Sequence, residues 1–413
     1  MSSATTGTVL QNCRPWGEAA TSLVTENGVI VDRAPLPTDE VVDCRGRIAL
    51  PSFADVHVHL CSTRWGLPFR PHTAAGSLQA HIEADRAGWR DDAPIAEKAT
   101  AMLGRMISRG TTKVRSYAQI DTDAGLERLG GVLAAREHHA DHADVTVMAF
   151  PQSGIMVDPG TEQLLDDALR QGLVDVVGGI DPCAVDRDPK GHLDVVFGLA
   201  EKYAKPVDLH VHETGTMGAF SWELIFERVR SLDMVGQVTI SHAMALGSNA
   251  PAVEDRLIEQ LVELDVAIAT VAPRGAERLP YRRLLEAGVR VGLGEDGMRD
   301  YWSPYGDGDH WNRLFQLCWQ HNLKTDDELR RAAFTATVGG RQVIDPTSAS
   351  TGLERVDPLA GRPGIEIGDE ADLVLVEGET LSSAVVDHRP ARMVVRRGRV
   401  IVDTETDDHS FTV

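Results

Sequence analysis

Histidines and acidic residues end several apolar runs of the sequence, and residues of these types can bind a metal ion. His57 and His59 stand two residues apart at the end of FADVHVHL, so a strand would direct both imidazoles to one face. Two neutral imidazoles that converge at a strand end are a good start for a divalent ion. An isolated pair of this kind is more often two buried histidines with ordinary hydrogen-bond partners.

Three further runs end in the same way. VDLHVHE ends with His210, His212 and Glu213, QVTISHA contains His242 at its end, and VGLGED ends with Asp296. Burying so many imidazoles and carboxylates without partners would cost several kcal/mol. The sequence therefore predicts that these side chains share a partner, and a bound metal ion is the simplest one.

Strand-like and helical segments alternate through the middle of the chain. Apolar runs such as TTKVRSY, DVTVMAF, VDVVGGI and VAIATVA are separated by amphipathic stretches such as DRLIEQLVELD. About eight such units predict an α/β fold, a (β/α)8 TIM barrel over residues 51–349, with its chemistry at the C-terminal ends of the strands. A doubly wound sheet has the same local pattern, but the chain lacks the GxGxxG turn that would favour it.

The two ends of the chain are rich in short β-type runs, among them TGTVLQNC, ADLVLVEG and RVIVD. We expect residues 1–50 and 350–413 to form one small composite β-sandwich domain. The segment from Cys61 to Asp92 is long for a connection and rich in Gly, Pro and aromatic residues, which predicts a loop over the site.

The composition restricts the possible partners. The formal net charge of the 413 residues is −21, which disfavours nucleic acid and anionic membranes because both bind basic surfaces. Five scattered cysteines without a CxxC pair suggest neither a disulfide framework nor a thiolate zinc site. With no targeting segment or apolar span recognised, we expect a cytoplasmic protein, a homo-oligomer that binds a small molecule.

The runs MAFPQSGIMVD, VDLHVHETGTMGAFS, VTISHA and GEDGMRDYWSPYGDGD resemble the cytosine deaminase branch of the amidohydrolase superfamily. Within that branch they are most similar to the enzymes that act on N-isopropylammelide. The resemblance implies a barrel with a composite β-domain and one divalent ion, zinc or iron. Residues that match the metal ligands are His57, His59, His210 and Asp296.

The resemblance also assigns roles to other residues. Glu213 matches the acid/base residue, His242 the histidine that orients the metal-bound water, and Gln152 a glutamine that contacts the substrate ring. Asp296 would accept the proton of the water as well as bind the ion. The fourth-strand run VDVVGGI has no lysine that could bridge two ions, so the resemblance implies a single-ion site.

Several positions differ from the usual family pattern and leave the substrate open. The family has an acidic residue at Cys61, a histidine at Tyr117, and histidine and aspartate at Glu295 and Gly297; enzymes that act on N-isopropylammelide have aspartate at Glu213. We expect Cys61 to be a small buried thiol. His212 is either a substrate contact or a structural residue.

Aromatic residues follow the metal aspartate. Trp302, with Tyr301 and Tyr305, could stack on a planar ring or simply pack in a loop. Six further histidines lie among polar residues and are expected in solvent: His72, His81, His138, His139, His142 and His310.

The sequence thus predicts an aminohydrolase that releases ammonia or a small alkylamine from a planar nitrogen heterocycle, such as a pyrimidine or s-triazine, through a metal-bound hydroxide. One alternative is a cyclic amidase that opens a lactam or hydantoin-like ring, which prefers a bridged metal pair. Another is a metal-binding barrel without catalysis.

Overall fold

Short strands open the chain, whose computed structural model describes residues 7–72, 76–272, 278–345, 357–390, 392–404 and 408–409. These strands are β1 (Thr8–Pro15), β2 (Thr21–Glu26), β3 (Val29–Val31), β4 (Glu40–Asp43) and β5 (Ile48–Pro51). Asn27 and Gly28 both have positive φ and form the tight turn between β2 and β3, as their sequence predicts.

Eight parallel strands follow in the described part of the chain, and each pairs with the next one in sequence. They are β6 (Phe53–Val58), β7 (Thr111–Gln119), β8 (Asp144–Phe150), β9 (Val176–Ile180), β10 (Val207–His210), β11 (Val238–Ser241), β12 (Ala267–Thr270) and β13 (Val291–Leu293). The backbone N–H of Asp296 donates to the His57 carbonyl at 2.8 Å and brings the first and last strands together. A Cβ on Gly294 would lie 2.5 Å from the Cβ of His57, so only glycine permits this closure.

Helices cover the outside of the barrel. They are α1 (Leu78–Gly88), α2 (Ile95–Ser108), α3 (Glu127–His138), α4 (Thr161–Arg170), α5 (Pro189–Tyr203), α6 (Gly215–Ser231), α7 (Pro251–Glu263), α8 (Tyr281–Glu286), α9 (His310–His321), α10 (Asp326–Thr335) and α11 (Val338–Ile344). In α2 the buried residues Ala99, Met102, Leu103 and Met106 recur at helical spacing. None of the described helices has the length and apolar character that crossing a bilayer requires.

The remaining elements return to the first strands. They are β14 (Leu373–Val376), α12 (Leu381–Asp387), β15 (Arg392–Arg396), β16 (Arg399–Asp403) and β17 (Asp408–His409). β14 pairs antiparallel with β5, so both ends of the chain share one mixed sheet. The predicted barrel with a second domain from both termini is confirmed. The domain limits at residues 50 and 350 stay predictions, and residue 350 lies outside the described residues.

The segment after β6 contains more structure than the loop that its sequence suggests. Helix α1 begins after Ser77, whose Oγ accepts a hydrogen bond from the Ala80 N–H, and a 3-10 turn at Trp89–Asp91 follows it. The prediction of an irregular loop over this whole segment was wrong, because a capped helix can form among Gly- and Pro-rich neighbours. This helix carries a residue that contacts the site, described below.

Candidate metal centre and active site

The C-terminal ends of the barrel strands bring the predicted metal ligands together. His57 Nε2 lies 3.3 Å from His59 Nε2, and Asp296 Oδ1 lies 3.6 Å and 3.4 Å from these two nitrogens. The rings of His57 and His210 are 4.5 Å apart between centroids. Ligand atoms of His57, His242 and Asp296 also lie within 4.8 Å of one another. Side chains from four strand ends therefore converge on one small volume.

The chemical state of these side chains fits a divalent ion. Several buried ring nitrogens have no hydrogen-bond partner among the described residues: His57 Nδ1, His59 Nδ1, His242 Nε2 and both nitrogens of His210. Burial lowers the pKa of His57, and lowers those of His210 and His242 well below the usual value, so these imidazoles are neutral and have free lone pairs. Neutral imidazoles with one carboxylate are a donor set of zinc and iron sites.

Asp296 supplies the negative charge. Although burial raises its pKa, the neighbouring His57 and His59 hold that pKa well below the usual value. The backbone φ is 64° at Asp296 and 66° at His242, a left-handed conformation that residues other than glycine rarely adopt. Such strain persists only where the surroundings enforce it, and it concentrates at functional sites.

Three hydrogen bonds fix the carboxylate of Glu213, which is 2% exposed. Its Oε1 accepts the backbone N–H groups of Cys183 at 2.7 Å and Ala184 at 2.8 Å, and its Oε2 accepts the Ser221 hydroxyl. Burial raises the pKa of Glu213, and the bonds from Ser221 and Ala184 offset part of that rise. Glu213 is thus a buried acid with a raised pKa, held in one orientation.

His212 is held by the strand beside its own. Its Nδ1 lies 2.7 Å from Asp181 Oδ2, and its backbone N–H donates to Asp181 Oδ1 at 2.6 Å. Although burial lowers the pKa of His212, Asp181 raises it above the usual value. The ring of His212 lies 4.1 Å from that of His242 and lines the cavity above the ligands.

A cavity of about 550 Å³ opens above the ligands. Trp302 lines it, and its indole is stacked on the His81 ring at 5.3 Å between centroids. Tyr305 lies at the mouth and is 58% exposed. Tyr301 is engaged elsewhere, because its hydroxyl donates to Asp92 Oδ2 at 3.2 Å.

The positions that differ from the family pattern have structural surroundings that the sequence did not show. Cys61 is buried, as predicted, and burial raises the pKa of its thiol. Tyr117 packs beside the ligands, with its ring 4.0 Å from that of His57 and its hydroxyl donating to Asp208 Oδ2 at 2.7 Å. A Cβ on Gly297 would lie 2.1 Å from Asp300 Oδ2, so the Asp300 carboxyl fills that space.

Two of the histidines expected in solvent are buried, and that prediction was wrong for them. His139 is 1% exposed and its Nε2 bonds the Thr100 carbonyl oxygen at 3.0 Å. His310 is 0% exposed, and burial lowers its pKa to about 3. Leu314 and Leu317, on the buried face of the same helix, follow His310 by four and seven residues. This helical spacing was the signal that could have placed it inside.

Sequence reasoning also missed the residues that hold the predicted site residues in place. Asp181 holds His212, Ser221 holds Glu213, and Asp85 holds Gln152, whose Nε2 donates to Asp85 Oδ2 at 3.0 Å. Asp181 directly follows the apolar run of β9, which was a usable signal. Ser221 and Asp85 lie on helices, and no pattern in the sequence singles them out.

The fold and this cluster define a class of enzyme. The family model of the amidohydrolases matches residues 96–402, and the chain belongs to that family. It is a hydrolase that acts on C–N bonds.

Individual relatives are similar over nearly the whole chain. N-isopropylammelide isopropyl amidohydrolase of Pseudomonas sp. strain ADP is 29% identical, over 88% of each chain. The crystal structure of N-isopropylammelide isopropylaminohydrolase from Burkholderia multivorans is similar with a TM-score of 0.88 and 34% identity, over 98% of this chain and 99% of the other. The crystal structure of 5-methylcytosine deaminase from Klebsiella pneumoniae, liganded with phosphonocytosine, is similar with a TM-score of 0.79 and 25% identity, over 96% of this chain and 98% of the other.

Proposed function

We propose that the protein is a metal-dependent aminohydrolase that releases ammonia or a small alkylamine from a planar nitrogen heterocycle, such as a pyrimidine or s-triazine. The observation that carries the proposal is the convergence of imidazoles, several with ring nitrogens that have no partner among the described residues, and one carboxylate at the barrel mouth. The relatives that act on N-isopropylammelide and 5-methylcytosine support the substrate class.

One divalent ion, zinc or iron, would be held by His57, His59, His210 and Asp296. A bound ion of this kind lowers the pKa of a coordinated water and polarises the substrate. Its low pKa keeps Asp296 ionised, and a carboxylate oxygen of Asp296 would accept the proton that the water gives up. His242, whose Nε2 has no partner among the described residues, orients the attacking water and the adduct through that nitrogen.

Glu213 supplies the proton that activates the ring for release of the amine. Two backbone N–H groups, which can only donate, occupy both lone pairs of Oε1. Oε2 is therefore the oxygen that carries the proton. Burial raises the pKa of Glu213, so it takes up a proton more readily than an exposed glutamate does. Protonation of a ring nitrogen makes the amine-bearing carbon electrophilic.

The cavity walls provide the contacts for a planar ring. His212 and Trp302 line the cavity and would offer a ring nitrogen and an aromatic face. Gln152, which the resemblance assigns to the substrate ring, would offer an amide to the ring edge. Asp181 fixes the orientation of His212. A pocket that pairs a ring edge discriminates strongly against rings that lack the partner groups, by factors on the order of 10⁴.

The test is amine release by the metal-replete protein from cytosine, isocytosine, ammelide, N-alkylammelides, pterins and creatinine-like rings. We expect ammonia or an alkylamine from at least one of them, and none from a His210→Ala control. Ring opening of a lactam or hydantoin without release from this panel would instead establish the cyclic amidase. Elemental analysis should find about one ion per chain, since β9 offers no lysine to bridge a second one.

A further inference from the structure

Asp85, on helix α1, lies outside the residues that the proposed chemistry uses, yet it contacts one of them. We propose that Asp85 is a specificity-determining residue: it fixes the amide of Gln152 so that the pocket accepts a hydrogen bond from a ring N–H. The inference rests on the proposed function, in which Gln152 contacts the substrate ring.

The orientation of the amide follows from the chemistry of its neighbour. Gln152 Nε2 lies 3.0 Å from Asp85 Oδ2. A carboxylate oxygen only accepts hydrogen bonds, so the nitrogen of the amide must face Asp85 and its oxygen must face away. No donor among the described residues bonds Gln152 Oε1. That oxygen is therefore the atom of the amide without a partner within the described protein, in a residue that is only 2% exposed.

Asp85 itself is held by a buried chain of bonds. Arg128 Nη1 donates to Asp85 Oδ2 at 2.8 Å, and the side chains of both residues are 0% exposed. The same Nη1 donates to Gln119 Oε1, and Gln119 Nε2 donates to Asp121 Oδ2 at 3.0 Å. A buried ion pair with such neighbours leaves the carboxylate little freedom to turn.

The strand that carries Gln152 also reaches the metal ligands. Phe150 ends β8 and its ring stacks on that of His210, with centroids 4.1 Å apart. The backbone N–H of Gln152 bonds the Phe150 carbonyl oxygen at 3.0 Å, which keeps Gln152 close to that strand end. A fixed acceptor here selects rings that present N–H, as lactam rings do, over rings whose nitrogens have only lone pairs.

Two symmetrical rings test this preference without knowledge of how a substrate is oriented. Isocyanuric acid has N–H at every ring nitrogen, whereas 2,4,6-trimethyl-1,3,5-triazine has none. Calorimetry of the metal-replete protein should show tighter binding of isocyanuric acid by about tenfold or more, as one well-placed hydrogen bond allows. Asp85→Ala removes the acceptor that holds the amide nitrogen, so Gln152 can turn either way and the preference should fall to within about threefold.

Controls separate this effect from loss of structure. Asp92→Asn removes another carboxylate of the same segment, 1% exposed and paired with Arg64 and Lys98, and should keep the preference. Should Asp85→Ala fail to fold because Arg128 loses its partner, Asp85→Asn with Arg128→Gln removes both charges, lets the new amide present either of its groups to Gln152, and should show the same loss.

The outcomes distinguish the inference from the function on which it rests. Retention of the wild-type preference in the folded Asp85 variants, or binding of neither ring by the wild type, would overturn the inference, whether or not amine is released. Loss of the preference in these variants, with no amine released from any ring, would uphold the role of Asp85 and refute the aminohydrolase.

Discussion

Replacing Glu213 with glutamine separates proton transfer from structure, because the bonds around this residue suit an amide. The glutamine oxygen can take the place of Oε1 and keep the two bonds from Cys183 and Ala184. The glutamine nitrogen would then face Ser221. The Ser221 hydroxyl must turn to accept a hydrogen bond from it, and can itself donate towards Cys183 Sγ, 3.3 Å away. One charge-assisted bond becomes a neutral one, which costs about 1 kcal/mol of unfolding free energy.

The effect on catalysis should be much larger. An amide cannot deliver the proton, and general acid–base catalysis contributes about 10²–10⁴-fold, or about 3–5 kcal/mol of activation free energy. We therefore expect Glu213→Gln to keep its metal and nearly all of its thermal stability, and to lose two to four orders of magnitude in kcat. The measurements are elemental analysis, a thermal melt and kcat on the best substrate of the panel.

Ser221→Ala is the matched control, since it removes the same hydrogen bond and keeps the acid. The Ser221 bond lowers the pKa of Glu213, so its loss should raise that pKa. An acid that must carry a proton loses activity as pH rises through its pKa, and the alkaline limb of the pH profile should move to higher pH. If Glu213→Gln with full metal works within tenfold of the wild type, another group transfers the proton.

Further variants test the surroundings of the site. His210→Ala should lose both the ion and the activity, which metal analysis would show; an active, metal-loaded variant would contradict the ligand set. Burial raises the pKa of Asp300 to about 7. Protonated Asp300 therefore stabilises the fold fully below pH 4, and this stabilisation is lost as pH rises through 7. Over that range the unfolding free energy of the wild type should fall by up to about 4 kcal/mol relative to that of Asp300→Asn. Tyr117→Phe removes a buried hydroxyl bonded to Asp208 and should cost about 1–3 kcal/mol in a denaturant titration, with the ion retained.

The sequence by itself determined the barrel and the candidate ligands, because both depend on local patterns. A strand turns alternate side chains to one face, so the spacing of His57 and His59 carries over into three dimensions. Parallel strands also share one C-terminal edge, so polar residues that end separate apolar runs, such as His210 and Asp296, must meet there. The assigned roles of these residues remain predictions until the variants are measured.

Only the tertiary structure decided which residues hold the site residues in place. Asp85 contacts Gln152 across 67 positions of sequence, and Asp181 contacts His212 across 31. No local periodicity encodes such pairs, since they depend on how a helix or a neighbouring strand packs. The same reason explains His310, whose polar neighbours in sequence predicted exposure. Its helix turns the side chain inward, where His310 Nδ1 lies 3.9 Å from a carboxyl oxygen of Asp55 and 3.9 Å from one of Glu295. Periodicity places a side chain on a face, but the packing of elements decides what that face meets.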